Sequence, residues 1–401
     1  MERSKAVSTP TFLRSPNLKN HDKNESGGSG PRLIAWEITR SCNLACDHCR
    51  ASSEMGPYPG ELTTEESLKL IGDIAEFSNP IMILTGGEPL MREDVAVIAR
   101  AGTELGLRMV LATNGTLLSR ERAKELLKAG IKRVSISIDG KNAKSHDDLR
   151  GVPGAFDGAI FGVESARAEG LPFQINTTIT RRNMGELSEM EDLVRRLGAV
   201  AHHLFLLVPT GRGRDMAEDS LDGEEYERIL RDIYRYEREA PHEVKVTCAP
   251  QYMRIKREMA LIDGIDIDSM EKAASSAHGH PGDGSDLSAS TRGCLGGISF
   301  LFISHDGDTQ PCGYLEVSGG SVRERPIREI WEKSELFLRL RDYSLLTGKC
   351  GRCEYVDVCG GCRARAYYHS GDYLAPEPLC PYVPNRLEKG RAKGNTKVNI
   401  K

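Results

Sequence analysis

Between residues 33 and 238 the chain repeats one pattern: a short apolar run, a polar turn, then a longer segment with apolar residues at helical spacing. The runs fall at 33–39, 81–84, 108–112, 133–138, 173–179 and 203–208. The first long segment sets Leu68, Ile71 and Ile74 on one face, and Thr63-Thr64-Glu65-Glu66 opens it with the spacing of a capping box. Strict alternation with short connections folds as a parallel sheet with right-handed crossovers. Six units fall short of a closed eight-strand barrel. The expected class is therefore α/β, a partial (β/α)6 barrel with its site at the C-terminal ends of the strands.

The thiols say what chemistry such a site can hold. Cys42, Cys46 and Cys49 follow the first strand with the spacing Cys-x3-Cys-x2-Cys. Three cysteines on one loop can hold three corners of a [4Fe-4S] cluster and leave the fourth iron open. Structural zinc wants four closed ligands, and His48, between two of the thiols, is badly placed to be the fourth. Seven more thiols lie in the last third, at Cys294, Cys312, Cys350, Cys353, Cys359, Cys362 and Cys380. Seven are too many for one zinc and suit two clusters, one held by four thiols and one by three plus another ligand. Cys248 stands alone, and a lone cysteine reads first as a small buried apolar residue.

Charge and hydropathy exclude some partners. The chain carries 54 basic and 58 acidic residues, a net of −4, so no nucleic-acid footprint is visible. No apolar run reaches the ~20 residues of a membrane span. The first 30 residues are polar, without the apolar core of a signal peptide. Cysteine-rich and without an export signal, the protein is expected in the cytoplasm. The expected organisation is a disordered leader at 1–30, the barrel at 31–240, a cysteine-rich cluster domain at 241–385 and a polar tail at 386–401.

The second strand runs into Gly86-Gly87-Glu88-Pro89. Paired glycines let a ligand approach the backbone, and the Glu88 carboxylate can accept from an ammonium group. The cysteine loop, this turn and the six-unit barrel together resemble the radical S-adenosylmethionine (SAM) superfamily. The resemblance implies that SAM chelates the open iron. One electron then cleaves it to methionine and a 5′-deoxyadenosyl radical, which abstracts hydrogen from the substrate. By the same resemblance Asn114, Ser137, Asn176, Arg150 and Val208 join Gly86, Gly87, Glu88 and Pro89 as SAM contacts, and His48 packs near the adenine. The cysteine-rich tail resembles the SPASM extension with its two auxiliary [4Fe-4S] clusters. Cys294, Cys312 and Cys362 would then hold the nearer cluster, and Cys350, Cys353, Cys359 and Cys380 the farther one. The Cys359–Cys362 gap departs from the usual pattern by one residue. It leaves the nearer cluster's fourth ligand open among Cys248, a histidine, water and substrate.

Substrate is read from resemblance over residues 31–384. Pro31-Arg32-Leu33-Ile34-Ala35-Trp36-Glu37 and Cys294-Leu295-Gly296-Gly297 are similar to the porphyrin-modifying branch that makes heme b, with the heme d1 branch close by. That implies iron-coproporphyrin III as substrate, two propionates oxidised to vinyls, and an unidentified electron donor. A ribosomal peptide substrate and a cluster-bearing electron carrier are the other classes, and Gly-Gly-Glu-Pro beside an open cluster counts against the carrier. Arg212, Arg214 and Arg292 are the candidate propionate partners, His278, His280 and His305 the candidate axial ligands, and residues 278–291 a candidate lid.

Overall fold

The computed structural model describes residues 30–265 and 293–384. Its six expected units are present: β1 (Leu33–Thr39), α1 (Thr64–Phe77), β2 (Ile81–Gly86), α2 (Val95–Glu104), β3 (Arg108–Thr113), α3 (Arg120–Lys128), β4 (Val134–Ser137), α4 (Ala143–Arg150), α5 (Ala155–Ala168), β5 (Phe173–Ile179), α6 (Leu187–Leu197), β6 (Ala201–Leu206) and α7 (Gly223–Glu239). The capping box before α1 closes both ways, Thr63 N to Glu66 Oε2 at 2.8 Å and Glu66 N to Thr63 Oγ1 at 3.2 Å.

The sheet does not end at residue 240. β7 (Glu243–Thr247) adds in parallel to β6, and α8 (Tyr252–Ile262) follows it. On the other side β8 (Phe300–Ile303) pairs in parallel with β1, and β9 (Asp308–Gln310) and β10 (Gly320–Ser321) run antiparallel beyond it. The order is β10-β9-β8-β1-β2-β3-β4-β5-β6-β7, so eight parallel strands curve without β7 closing on β8. β7 escapes an apolar-run search because Glu243 and Lys245 alternate with its valines. The remaining helices are α9 (Ile327–Lys333), α10 (Glu335–Arg341), α11 (Gly348–Gly351) and α12 (Arg363–Ser370).

Strand periodicity divides the interior. Ile34, Trp36, Met82, Leu84, Met109 and Leu111 point outward and are fully buried under the helices. On β2 and β3 the alternate positions point inward and are mostly half-buried, because they do not fill the space the strands surround. A cavity of about 880 Å³ remains, reaching from the strand beginnings to the thiols beyond their ends. No helix among the described residues is long and apolar enough to cross a membrane.

Candidate active site

The loop at 42–49 is held by the ends of other elements. The amides of Ala45 and Asp47 donate to the carbonyls of Arg150 (3.3 Å) and Leu149 (3.0 Å), so the loop satisfies the C-terminus of α4. Arg212 donates from Nε to the Cys46 carbonyl (2.9 Å) and from Nη1 to that of Ser53 (2.8 Å). It clamps the loop and does not line the cavity.

The glycines after β2 are required by this loop. Amides of Gly87 and Glu88 donate to the carbonyls of Thr39 (2.9 Å) and Ser41 (2.8 Å). A Cβ on Gly87 would stand 2.5 Å from the carbonyl oxygens of Arg40 and Ser41. The close approach is thus backbone to backbone, while Gly86 and Gly87 also line the cavity.

Each thiol of the loop has an N–H directed at it. Leu44 N lies 3.4 Å from Cys42 Sγ, Ser53 N 3.3 Å from Cys49 Sγ, and Arg150 Nη1 3.6 Å from Cys46 Sγ. Donors of this kind stabilise sulfur that carries negative charge, as iron-bound thiolate does. Burial pushes the Cys42 thiol up to about 11, so iron must displace its proton on binding. No group of three His, Cys, Asp or Glu side chains among the described residues can hold a single metal ion. His48 is not a ligand but faces Asp139, Nε2 to Oδ2 at 3.3 Å.

Arg150 links loop and barrel. Its Nη2 pairs at 2.6 Å with Asp139, which is fully buried and also accepts from Thr178 N at 2.7 Å. The Arg150 guanidinium holds the Asp139 carboxyl well below the usual range against the opposing effect of burial. Asn114 Nδ2 donates to Asn43 at 2.8 Å, tying the end of β3 to the loop. Ser137 and Asn176 are register partners on β4 and β5 and line the cavity with Asn114 and Arg150.

Three expected contacts are placed elsewhere. Glu88 is fully buried and does not line the cavity; Oε1 accepts from Thr113 Oγ1 (2.8 Å) and Leu90 N (3.0 Å), Oε2 from Asn114 N (2.7 Å). Its carboxylate joins the ends of β2 and β3 instead of meeting a ligand's ammonium. Burial pushes it up to about 7, against the pull of these hydrogen bonds. Pro89 is buried at the start of a single 3₁₀ turn, also off the cavity. Val208 is buried among Leu315, Cys362 and Ala364.

The C-terminal thiols form two groups. Cys294, Cys312 and Cys362 line the main cavity opposite the loop, and Cys248 joins them. Cys248 packs against Cys312 and Cys362 at a positive φ of 61°, a strained backbone for a residue with a Cβ. Its isolation in sequence leaves it one of several candidates for the fourth ligand, and the fold brings it to the other three thiols. Cys350, Cys353, Cys359 and Cys380 surround a second, small pocket. There Glu377 N lies 3.3 Å from Cys350 Sγ and Gly361 N 3.4 Å from Cys359 Sγ.

One buried ion pair ties this region to the barrel. Arg365 meets Glu377 at 2.9 Å and donates to the Leu207 carbonyl (2.8 Å), Tyr226 Oη (2.8 Å) and the Cys248 carbonyl (2.5 Å). Glu377 Oε2 accepts from Cys362 N at 2.8 Å. Of the remaining candidates, Arg214 pairs on the surface with Glu316, and His305 pairs with the buried Glu37 at 3.1 Å. His278, His280, Arg292 and the 278–291 stretch lie outside the described residues.

A family model of the radical SAM superfamily matches residues 36–194, and one of an iron-sulfur cluster-binding domain, SPASM, matches 294–363. The AdoMet-dependent heme synthase of Methanosarcina barkeri is 51% identical over 89% of this chain and 98% of its own. That of Nitratidesulfovibrio vulgaris is 49% identical over 90% of this chain and 95% of its own.

The chain belongs to the radical SAM superfamily, in the family of these synthases.

A radical SAM enzyme with a SPASM domain carries a SAM-binding [4Fe-4S] cluster and auxiliary clusters, and the three thiol groups above are where this chain has room for them. Solved structures agree on fold alone. Streptococcus suis SuiB bound to S-adenosylmethionine superposes with a TM-score of 0.67 at 16% identity, over 88% of this chain and 78% of its own. The enzyme anSMEcpe with bound AdoMet gives 0.62 at 18%, over 87% and 93%.

Proposed function

We propose that this enzyme converts two propionates of iron-coproporphyrin III to vinyl groups, giving heme b. Each conversion removes one β-hydrogen atom, carbon dioxide and one electron. The observation that carries the reading is the continuity of one cavity between two sets of thiols, the 42–49 loop at one side and Cys248, Cys294, Cys312 and Cys362 at the other. A reaction that abstracts hydrogen and then sheds an electron needs both. The names of relatives support the porphyrin: besides the heme synthases, an Fe-coproporphyrin III synthase of Methanosarcina barkeri is 33% identical over 87% of both chains.

When bound, the loop cluster and SAM supply a hydrogen-abstracting radical. The protein's own residues aim and shield it. Cys42, Cys46 and Cys49 ligate; Asn114 and Arg212 fix the loop; Arg150 positions Cys46 through its contact with sulfur and its pair with Asp139. Ser137 and Asn176 are in place to meet SAM from the strand ends. Cys248 completes a four-thiol set with Cys294, Cys312 and Cys362, and the other four thiols hold the farther cluster.

The test is anaerobic incubation of reconstituted enzyme with SAM, reductant and iron-coproporphyrin III, followed by mass spectrometry. Loss of two carboxyl groups with release of CO2 is expected. An unchanged porphyrin, with SAM cleavage triggered instead by a heme d1 precursor or by a peptide, would sink the reading.

A further inference from the structure

We propose that the polar wall of the cavity, centred on Lys245 and His203, is a carboxylate subsite that holds the porphyrin's two unreacted propionates. The inference rests on the porphyrin reading above and adds where and how that substrate is gripped.

The cavity is two-faced. Inward positions on β1–β3 and β8 are mostly apolar, among them Ile83, Val110 and Phe302, with Thr85 and Arg108 the polar members. Inward positions on β4–β7 are mostly polar, among them Gln174, His203 and Lys245, with Phe205 the exception. Asn176, His203 and Lys245 are register partners across β5, β6 and β7, so the polar groups form a row. A flat apolar macrocycle with carboxylates along one edge matches such a space; an extended peptide has no comparable division.

Two half-buried side chains of the row each keep a nitrogen without a partner among the described residues, Lys245 Nζ and His203 Nε2. Other enclosed cations have carboxylate partners, Arg150 with Asp139, Arg254 with Glu227 and Arg365 with Glu377. Lys245 is enclosed by the barrel, lines the cavity, and has no hydrogen bond or ion pair among the described residues. Burial draws the proton affinity of its ammonium down, the nearby Arg133 and Arg32 add to this, and Glu243 opposes it without pairing. Glu243, two residues earlier on the strand, lies toward Arg133, Oε2 to Nη1 at 3.6 Å.

His203 supplies the second group. Gln174 Oε1 accepts from Arg133 at 3.3 Å, so the Gln174 amide nitrogen is the donor to His203 Nδ1 at 2.9 Å. The ring proton is then on Nε2, which is buried and without a partner. An Nε2–H offers a hydrogen bond and no lone pair. It suits a carboxylate oxygen and not the porphyrin iron. His203 lies three residues below the end of β6, about 10 Å at a strand's rise, so an edge held there leaves the opposite edge toward the 42–49 loop.

Soret titration of the reconstituted enzyme tests this with three ligands: iron-coproporphyrin III, heme b, which keeps only the carboxylates the subsite would hold, and the tetramethyl ester of iron-coproporphyrin III. The wild-type enzyme should bind both acids at least about tenfold more tightly than the ester, the scale of a lost charge-assisted hydrogen bond. Lys245→Met should weaken both acids by about tenfold and leave the ester unchanged, while Lys245→Arg restores acid binding. His203→Phe should act in the same direction with a smaller factor. Iron per chain reports folding of each variant. Ester bound as tightly as acid by the wild type, or acid affinities within twofold of wild type in Lys245→Met, would overturn the subsite alone. Absence of binding of any porphyrin by the wild type would overturn the porphyrin reading with it.

Discussion

The two thiol-bearing regions are built in opposite ways. The 42–49 loop brings three thiols together within eight residues, and the barrel only has to hold the loop still. It does so with groups brought in by the barrel: the carbonyls of α4, the Arg212 clamp and the Gly86-Gly87 backbone. The C-terminal groups draw thiols from segments up to 114 residues apart, Cys248 to Cys362, and depend on side chains that reach across the fold. Arg365 is the clearest case, spanning from Glu377 to Leu207, Tyr226 and Cys248. One site is encoded in a motif, the other in tertiary contacts.

The contrast can be broken at its strongest point first. Cys42→Ala removes one loop ligand and should abolish SAM cleavage while the C-terminal clusters remain, read as a loss of about four irons per chain with their signals intact. Retained cleavage would show that the loop is not where SAM is activated. Glu377→Ala leaves the Arg365 guanidinium buried and unpaired, a loss of about 3–5 kcal/mol. Thermal unfolding should fall, and iron should leave both C-terminal groups while the loop cluster persists; equal loss from all three would mean that the regions do not fold as separate supports.

Cys248→Ala sharpens the same comparison. It should convert the nearer auxiliary cluster to a labile form, visible by electron paramagnetic resonance, with the other two unchanged. An identical spectrum would return Cys248 to the role of a packing residue. Glu88→Gln keeps the shape but turns one acceptor into a donor facing amides and a hydroxyl, costing about 1–3 kcal/mol. Because Glu88 ties β2 to β3 beneath the loop, SAM cleavage should slow while the SAM affinity changes little, the opposite of what an ammonium contact would give. Arg214→Ala breaks an exposed pair with Glu316, worth about 0–1 kcal/mol, and a stacking contact on Tyr368, and should leave porphyrin affinity unaltered in the same Soret titration.

How much could be read in advance follows from whether each signal is local. The six strand–helix units were legible because each strand is a short apolar run and each helix sets apolar residues at helical spacing, as in β2 and α1. β7 was not, since an inward row facing a cavity is free to be polar, and Glu243 and Lys245 masked the strand. The glycines after β2 were legible as a close approach, though not its partner, the backbone of residues 39–41. Glu88 misled because a carboxylate in a turn at a barrel mouth looks the same in sequence whether it faces a ligand or the amides of the next strand.

The sequence by itself determined the barrel, the SAM-binding loop and the number of thiols available for clusters, because strand period, helix period and short thiol spacing are written within a few residues of one another. Tertiary structure alone decided that Cys248 stands with Cys294, Cys312 and Cys362, that Arg212 and Glu88 serve the loop, and that Lys245 and His203 face the same empty space. Those outcomes depend on which buried charge meets which partner across the fold. Pairing between distant segments leaves no periodic trace along the chain.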